Sequence, residues 1–286
     1  MTINAFCIGE CMVELRGAGE GLLRQGFAGD SYNTAVYLKR SAPEIGVHYV
    51  TATGIDPMSQ AMRAAWSEEG VEDDFAFAVA DRRPGLYMIE LDAAGERRFH
   101  YWRGESAAKR WLAELRAAGI DKLFGADLVY LSGISLAILS PEEQRDALAL
   151  LEELRGKVGK IAFDPNYRPA LWRSRAEAAE VACEAVARAD IFLPSSEDME
   201  TLFAGEDVPA CAETAMTADG ARCRVNGEWV QGELAARVVD TSGAGDSFNG
   251  AYLAARLRGS PVQEAARAGL ALAAKVVGHA GAVIPR

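Results

Sequence analysis

The chain alternates short apolar runs with amphipathic stretches. AFCIGECMVEL, residues 5–15, is an apolar run broken by Gly9 and predicts a buried strand; the glycine-rich polar sequence from Gly17 to Gly29 predicts a loop. From Ser31, YNTAVYLKR has helical spacing, with Asp30 or Ser31 placed to accept hydrogen bonds from the first turn. VHYVTATG predicts the next strand. Asp56-Pro57 then opens, and Gly70 closes, a helix over MSQAMRAAWSEE. Strand, helix and strand in that order define a βαβ unit.

Between Phe75 and Arg103 the period changes to two, with turn signals at Arg83-Pro84-Gly85 and Ala94-Gly95, which predicts an antiparallel ribbon projecting from the main domain. The βα pattern resumes with the strand ADLVYLSGI. Ser140-Pro141-Glu142-Glu143 follows as a capping box that opens a helix through Leu154. The strand KIAFD, a helix over about residues 175–189 and the strand DIFLP come next. Residues 206–222 receive no element. A short apolar run at Val238 precedes the turn DTSGAGD, a helix over about residues 246–258 ends at Gly259, and Ser260-Pro261 starts another helix. Its small-residue run AGLALAAKVV predicts close packing on a neighbour.

Composition narrows the function. With 286 residues, half apolar and a quarter charged, the chain can bury a substantial core without disulfides. A net charge of −11 predicts repulsion of nucleic acid and anionic lipid, and the expected location is cytoplasmic, with no secretory or membrane-spanning segment. Cys7, Cys11, Cys183, Cys211 and Cys223 are scattered and never spaced CxxC, which suits reduced core thiols rather than zinc ligands.

The most informative segment is Asp240-Thr241-Ser242-Gly243-Ala244-Gly245-Asp246. Gly243 and Gly245 let backbone approach an anion, and a helix start presents free N–H groups to it. A carboxylate beside an anion-binding turn weakens phosphate binding unless it has another task, such as accepting a hydroxyl proton during phosphoryl transfer. On spacing alone, a tight turn with Asp246 as its cap fits equally well. The segment is not the GxxxxGK[ST] pattern, and CIGECM lacks the GxGxxG of a dinucleotide site.

DTSGAGDSFNGAYLAA resembles the C-terminal signature of the ribokinase-like (PfkB) family of sugar kinases, GDSYNTAVYL its N-terminal sugar-binding motif, and PGLYMIELDAAGERRFHYWR its β lid. FDPNYRPALW, with YWR, is similar to the subgroup that phosphorylates 2-keto-3-deoxygluconate. The resemblance implies an α/β ribokinase-like three-layer sandwich. It has a mainly parallel central sheet and a small antiparallel lid, as one domain over residues 1–286 with the lid from about 9–25 and 76–104. It implies Asp246 as catalytic base, with Gly243, Ala244 and Gly245 binding the transferring phosphoryl group.

For the sugar acid it implies Gly29, Asp30, Asn33, Tyr87, Tyr101, Arg103, Ile134, Arg168 and Asp246 itself. For ATP it implies Asn166, Arg168, Ser195, Thr217, Gly220, Gly243 and Gly245, with Asp198 toward Mg²⁺. A monovalent cation and a homodimer formed through the lid are compatible with it. Chemistry supports the lid assignment: Arg103 offers a planar fork to a carboxylate, and alternation puts Tyr101 and Arg103 on one face. Two departures stand out. The family's NxxE reads Ser195-Ser196-Glu197-Asp198 here, and residues 202–225 are about a dozen short of the usual nucleotide segment. A kinase for a neutral sugar such as fructose, and a sugar-acid binding protein without transfer activity, are the alternatives.

Overall fold

The computed structural model describes residues 2–91 and 97–286; the expected Ala94-Gly95 turn lies outside them. The first half contains β1 (Asn4–Ile8), β2 (Met12–Gly17), β3 (Leu23–Ala28), α1 (Asp30–Ser41), β4 (Gly46–Thr53), α2 (Pro57–Glu69), β5 (Ala76–Ala78), β6 (Leu86–Leu91), β7 (Arg97–Trp102), α3 (Trp111–Ala118), β8 (Leu128–Ser132) and α4 (Gly133–Ala137). The second contains α5 (Pro141–Leu154), β9 (Ile161–Asp164), α6 (Arg175–Val186), β10 (Ile191–Phe192), α7 (Ser196–Thr201), β11 (Glu213–Ala218), β12 (Arg222–Val225), β13 (Glu228–Gln231), α8 (Ala244–Leu257) and α9 (Val262–Val276).

The described residues form a nine-stranded sheet in the order β13-β12-β11-β10-β9-β8-β1-β4-β5, parallel except where β12 and β13 fold back. Alternation supplies both of its faces. Ala5 and Cys7 of β1 and Leu128 and Tyr130 of β8 join one core with α1, α2, α8 and α9. Phe6, Ile8, Val129 and Leu131 join the other with α3, α5 and α6. Both faces are therefore buried, as a parallel sheet requires, and the result is a three-layer α/β fold. Within the run AGLALAAKVV of α9, Gly269 packs closely against Phe248 of α8 and Leu270 and Val276 are buried, but Ala268 and Ala271 are exposed; the fully buried alanines, Ala265 and Ala266, precede the run.

A second sheet, β3-β2-β6-β7, stands apart. Its hairpins are antiparallel, and its central pair β2 and β6 runs parallel. Two expectations change here. The segment expected as a loop between Gly17 and Gly29 contains β3, whose exposed Leu23, Arg24 and Gln25 give no apolar signal but pair with β2. The ribbon expected from Phe75 begins only at β6, because β5 pairs with β4 at the edge of the large sheet.

Helix starts show how far local rules reach. Asp56 accepts from Met58 N and Ser59 N at 3.0 and 3.2 Å, Ser140 and Glu143 cap α5 reciprocally, and Gly70 ends α2 at φ 74°. At α1 the cap is Gly29, and neither Asp30 nor Ser31 serves as one. Ser31 Oγ instead meets Tyr49 Oη at 3.0 Å, and the Asp30 carboxylate turns outward to Asn166. Residues 213–225, left partly unassigned by pattern, form β11 and β12, while 202–212 contain neither helix nor strand. Val238 and Val239 are not a strand: both are exposed, and the amides of Val239 and Asp240 donate to the Val277 carbonyl just past α9.

Candidate active site

The parallel strands deliver their C-terminal ends to one edge of the sheet, and the starts of α1 and α8 meet there. Gly243 caps α8 with φ 73°, a region that favours glycine, and a Cβ on it would lie 2.6 Å from the Ala282 carbonyl oxygen. The Asp240 carboxylate fixes this turn by accepting from Ser242 N at 2.8 Å and Gly281 N at 2.9 Å. Helix geometry leaves the amides of Gly245 and Asp246 without acceptors inside α8, so the turn and first helical residues form an amide cradle suited to phosphate.

Asp246 is the third residue of α8 and does not cap it. Its carboxylate accepts from Asn33 Nδ2 of α1 at 2.8 Å. Although some of its surface remains accessible, surrounding protein raises its pKa to about 7. Burial is the main cause, the nearby Asp30 charge adds to it, and the Asn33 hydrogen bond and Arg168 oppose it. A carboxylate held there can take a proton near neutral pH.

The network runs further than the motif. Asn166 Nδ2 donates to Asp30 at 2.8 Å, and Asn166, at φ 35°, turns its amide onto Asp164 Oδ1 at 2.9 Å. Asn249 Nδ2 donates to Asp164 Oδ2 at 2.8 Å, and Tyr130 Oη lies 3.4 Å from the same oxygen. Burial first, then the charges of Asp198, Asp30 and Asp246, hold the Asp164 pKa well above the usual carboxylate range. The Asp164-Pro165-Asn166 segment is thus a strand-ending turn and also part of the site. Asn249 was missed by motif reading; its signal is its place three residues after Asp246, on the same helix face.

On the lid side, Tyr87 and Tyr101 are register partners with ring centroids 5.9 Å apart. Tyr87 Oη donates to Glu14, which also pairs with Arg16. Arg103 is present at the expected place but is not free: its Nη2 pairs with buried Glu10. Glu10 and Glu14 also escaped motif reading, and their signal was two acids inside the apolar run of residues 5–15. Ile134 lies half-buried at the start of α4. Gly29 precedes α1 and is reached by Asn33 Oδ1 at 3.4 Å.

The remaining residues sit along the same edge of the sheet. Arg168 is exposed, with Nη1 on the Tyr167 carbonyl at 3.0 Å. Ser195 caps α7 and bridges to Thr217 of β11, and Gly220 lies in the turn before β12. Asp198 is buried as the partner in that cap: Oδ2 accepts from Ser195 N and Oγ, and Oδ1 from Tyr167 N. Direct metal ligation by Asp198 would disrupt this arrangement. Among the described residues, three potential metal-ligating groups converge only elsewhere, at His48, Glu72 and Asp74. The donor set therefore suits a hard cation held mainly by phosphate and water, which is how Mg²⁺ accompanies nucleotides.

A turn of free amides suited to phosphate, a carboxylate titrating near neutrality beside it, and a small sheet carrying tyrosine and arginine are the features that a phosphoryl-transfer site would need. The pattern of the pfkB family carbohydrate kinases matches residues 2–286, and the chain belongs to that family. It is 42% identical to the 2-dehydro-3-deoxygluconokinase of Escherichia coli K12, over 98% of this chain and 96% of that protein. It is 40% identical to the enzyme of that name from Dickeya dadantii, over 99% and 97%. The fold matches an uncharacterized sugar kinase from Pyrococcus horikoshii, crystallised with ATP, with a TM-score of 0.83 at 24% identity, over 98% of this chain and 94% of that one.

Proposed function

We propose that the protein transfers the γ-phosphoryl group of ATP to the 6-hydroxyl of 2-keto-3-deoxygluconate, with Asp246 as general base. The observation that carries this reading is the position of the Asp246 carboxylate, beside the amide cradle and with its pKa raised to about 7. As the new O–P bond forms and the bond between the β- and γ-phosphoryl groups breaks, the hydroxyl proton passes to Asp246 and ADP leaves. Asn33 orients the carboxylate, and the turn at Gly243, Ala244 and Gly245, with the free N–H groups of Gly245 and Asp246, takes up charge on the phosphoryl oxygens. Asn166, Arg168, Ser195, Thr217 and Gly220 face the nucleotide. Mg²⁺, when bound, would offset phosphate charge, and Glu197 and Asp198 are the carboxylates that would help to hold it.

The sugar acid is supported by the names of the relatives at 40–42% identity and by Arg103 with Tyr87 and Tyr101 on the lid. One observation favours a second reading: Glu10 already neutralises Arg103, as a kinase for a neutral sugar would permit. A coupled ADP-release assay with 2-keto-3-deoxygluconate, fructose and ribose decides. The expected outcome is preference for the acid, with Arg103→Ala weakening the acid by about 10- to 100-fold and altering fructose use little. Preference for fructose, or no turnover of any sugar, overturns the reading.

A further inference from the structure

The lid joins the body through four chain crossings, at residues 9–11, at 29, at 79–85 and at 103–106, and Glu10 lies at their meeting point. A Cβ on Gly29 would strike its carbonyl oxygen, and one on Gly85 would lie 2.6 Å from its Oε1; Arg103 pairs with its Oε2. The residue is only 1% exposed. Two atoms of this ion pair are buried without a partner: Glu10 Oε1 and Arg103 Nε. Buried polar atoms are normally hydrogen-bonded, so these two orphans leave the Arg103 contact as the compensation for the buried Glu10 charge.

We infer that Glu10 is a positioning residue that pre-occupies Arg103, so that the lid refuses small anions and keeps the guanidinium for a carboxylate carried on a hydroxylated chain. This rests on the reading of Arg103 as the anchor of a sugar acid. A bare sulfate or phosphate approaching Arg103 meets the Glu10 charge a few ångströms behind it and gains little else. A sugar acid meets the same repulsion and offsets it with hydroxyl contacts along the cleft. The arrangement has a use in a kinase, because an unpaired arginine in the sugar pocket would attract the phosphates of ATP and of the product.

The test is inhibition by sulfate and by pyruvate, measured against whichever sugar the wild-type enzyme turns over. In Glu10→Gln the inhibition constants of both anions should fall by about tenfold or more, competitively with the sugar, because a like charge near the anion has been removed. That gain should vanish when Arg103→Ala is added. Glu10→Asp keeps the charge but withdraws it by one methylene, and should show a smaller gain; it also serves if the glutamine variant does not fold. Unchanged or weakened anion inhibition in these variants overturns the inference. A merely structural Glu10 would shift KM for every sugar and lower Tm while leaving anion inhibition unmoved. Failure of the substrate assignment is separate: it appears in the wild-type sugar preference, whereas the anion comparison can be made on any accepted sugar.

Discussion

At Asp246 one side chain sets both rate and stability, and pH separates them. The folded protein holds its proton up to about pH 7, whereas the unfolded chain releases it near the ordinary value of 3.8. Between those values the folded state binds the extra proton, so this group's contribution to stability declines as pH rises through the window and stays low above it. Activity runs the other way, because a base must be deprotonated. We expect kcat/KM to rise with pH through an apparent pKa near 7 and then level off; a flat profile from pH 5 to 8 would remove Asp246 from the role. Asp246→Asn should lower kcat by about 10²- to 10⁴-fold with modest change in sugar affinity. The same variant should melt a few degrees above wild type at pH 8 and show no such gain near pH 4, by calorimetry. Loss of rate together with gain of stability is the signature of a functional strain, which a cap lost at a helix start would not produce.

At the scale of elements, the start of α8 depends on one backbone conformation. Gly243→Ala places a Cβ at positive φ and against the Ala282 carbonyl. The strain is about 1–3 kcal/mol, and the turn can relieve it only by moving the amides that cradle phosphate. kcat should therefore fall by at least about tenfold, and wild-type turnover with an unchanged melting temperature would show that the cradle is not built this way. Elements with strong local signals were legible in the sequence. Asp56-Pro57 with Gly70 bounds α2 and the Ser140 capping box opens α5, because each motif satisfies its own backbone groups. What tertiary pairing decides was not legible. β3 opens on three exposed residues with no alternation, and β12 alternates arginine with buried Cys223 and Val225 over only four residues, so each becomes a strand through its pairing with β2 or β11. Val238 and Val239 look apolar enough for a strand, yet their neighbour is the end of α9. The site divides the same way: the GAGD turn, Asn33 and Arg103 are visible as motif, while Glu10 and Asn249 matter through partners about 90 residues away.

For the whole molecule, the lid is the part least accounted for by a single chain. The chain carries a net charge of −11, which disfavours an anionic lipid surface as the cover for apolar residues left open on the lid. Those residues lie at the lid's two outer strands: Leu22 and Leu23 at and before β3, and Trp102 at the end of β7, are each more than half exposed. Outer strands also present unpaired backbone groups, which proteins rarely leave open. A symmetric pairing of two lids would cover both features, since a two-fold axis brings the same patch from each chain together. We therefore expect light scattering to give about twice the 30.6 kDa chain mass at micromolar concentration. Leu23→Asp combined with Trp102→Asp should return the mass to that of one chain, with the melting of the body little changed, because neither residue belongs to the buried core. Trp102 lies between Tyr101 and Arg103 in sequence but on the opposite face of the ribbon, so a monomeric variant also reports on catalysis. If an assembled lid holds Arg103 and Tyr101 in place, KM for the sugar should rise by several-fold while kcat falls less. A monomeric wild type with full activity would show that one lid suffices.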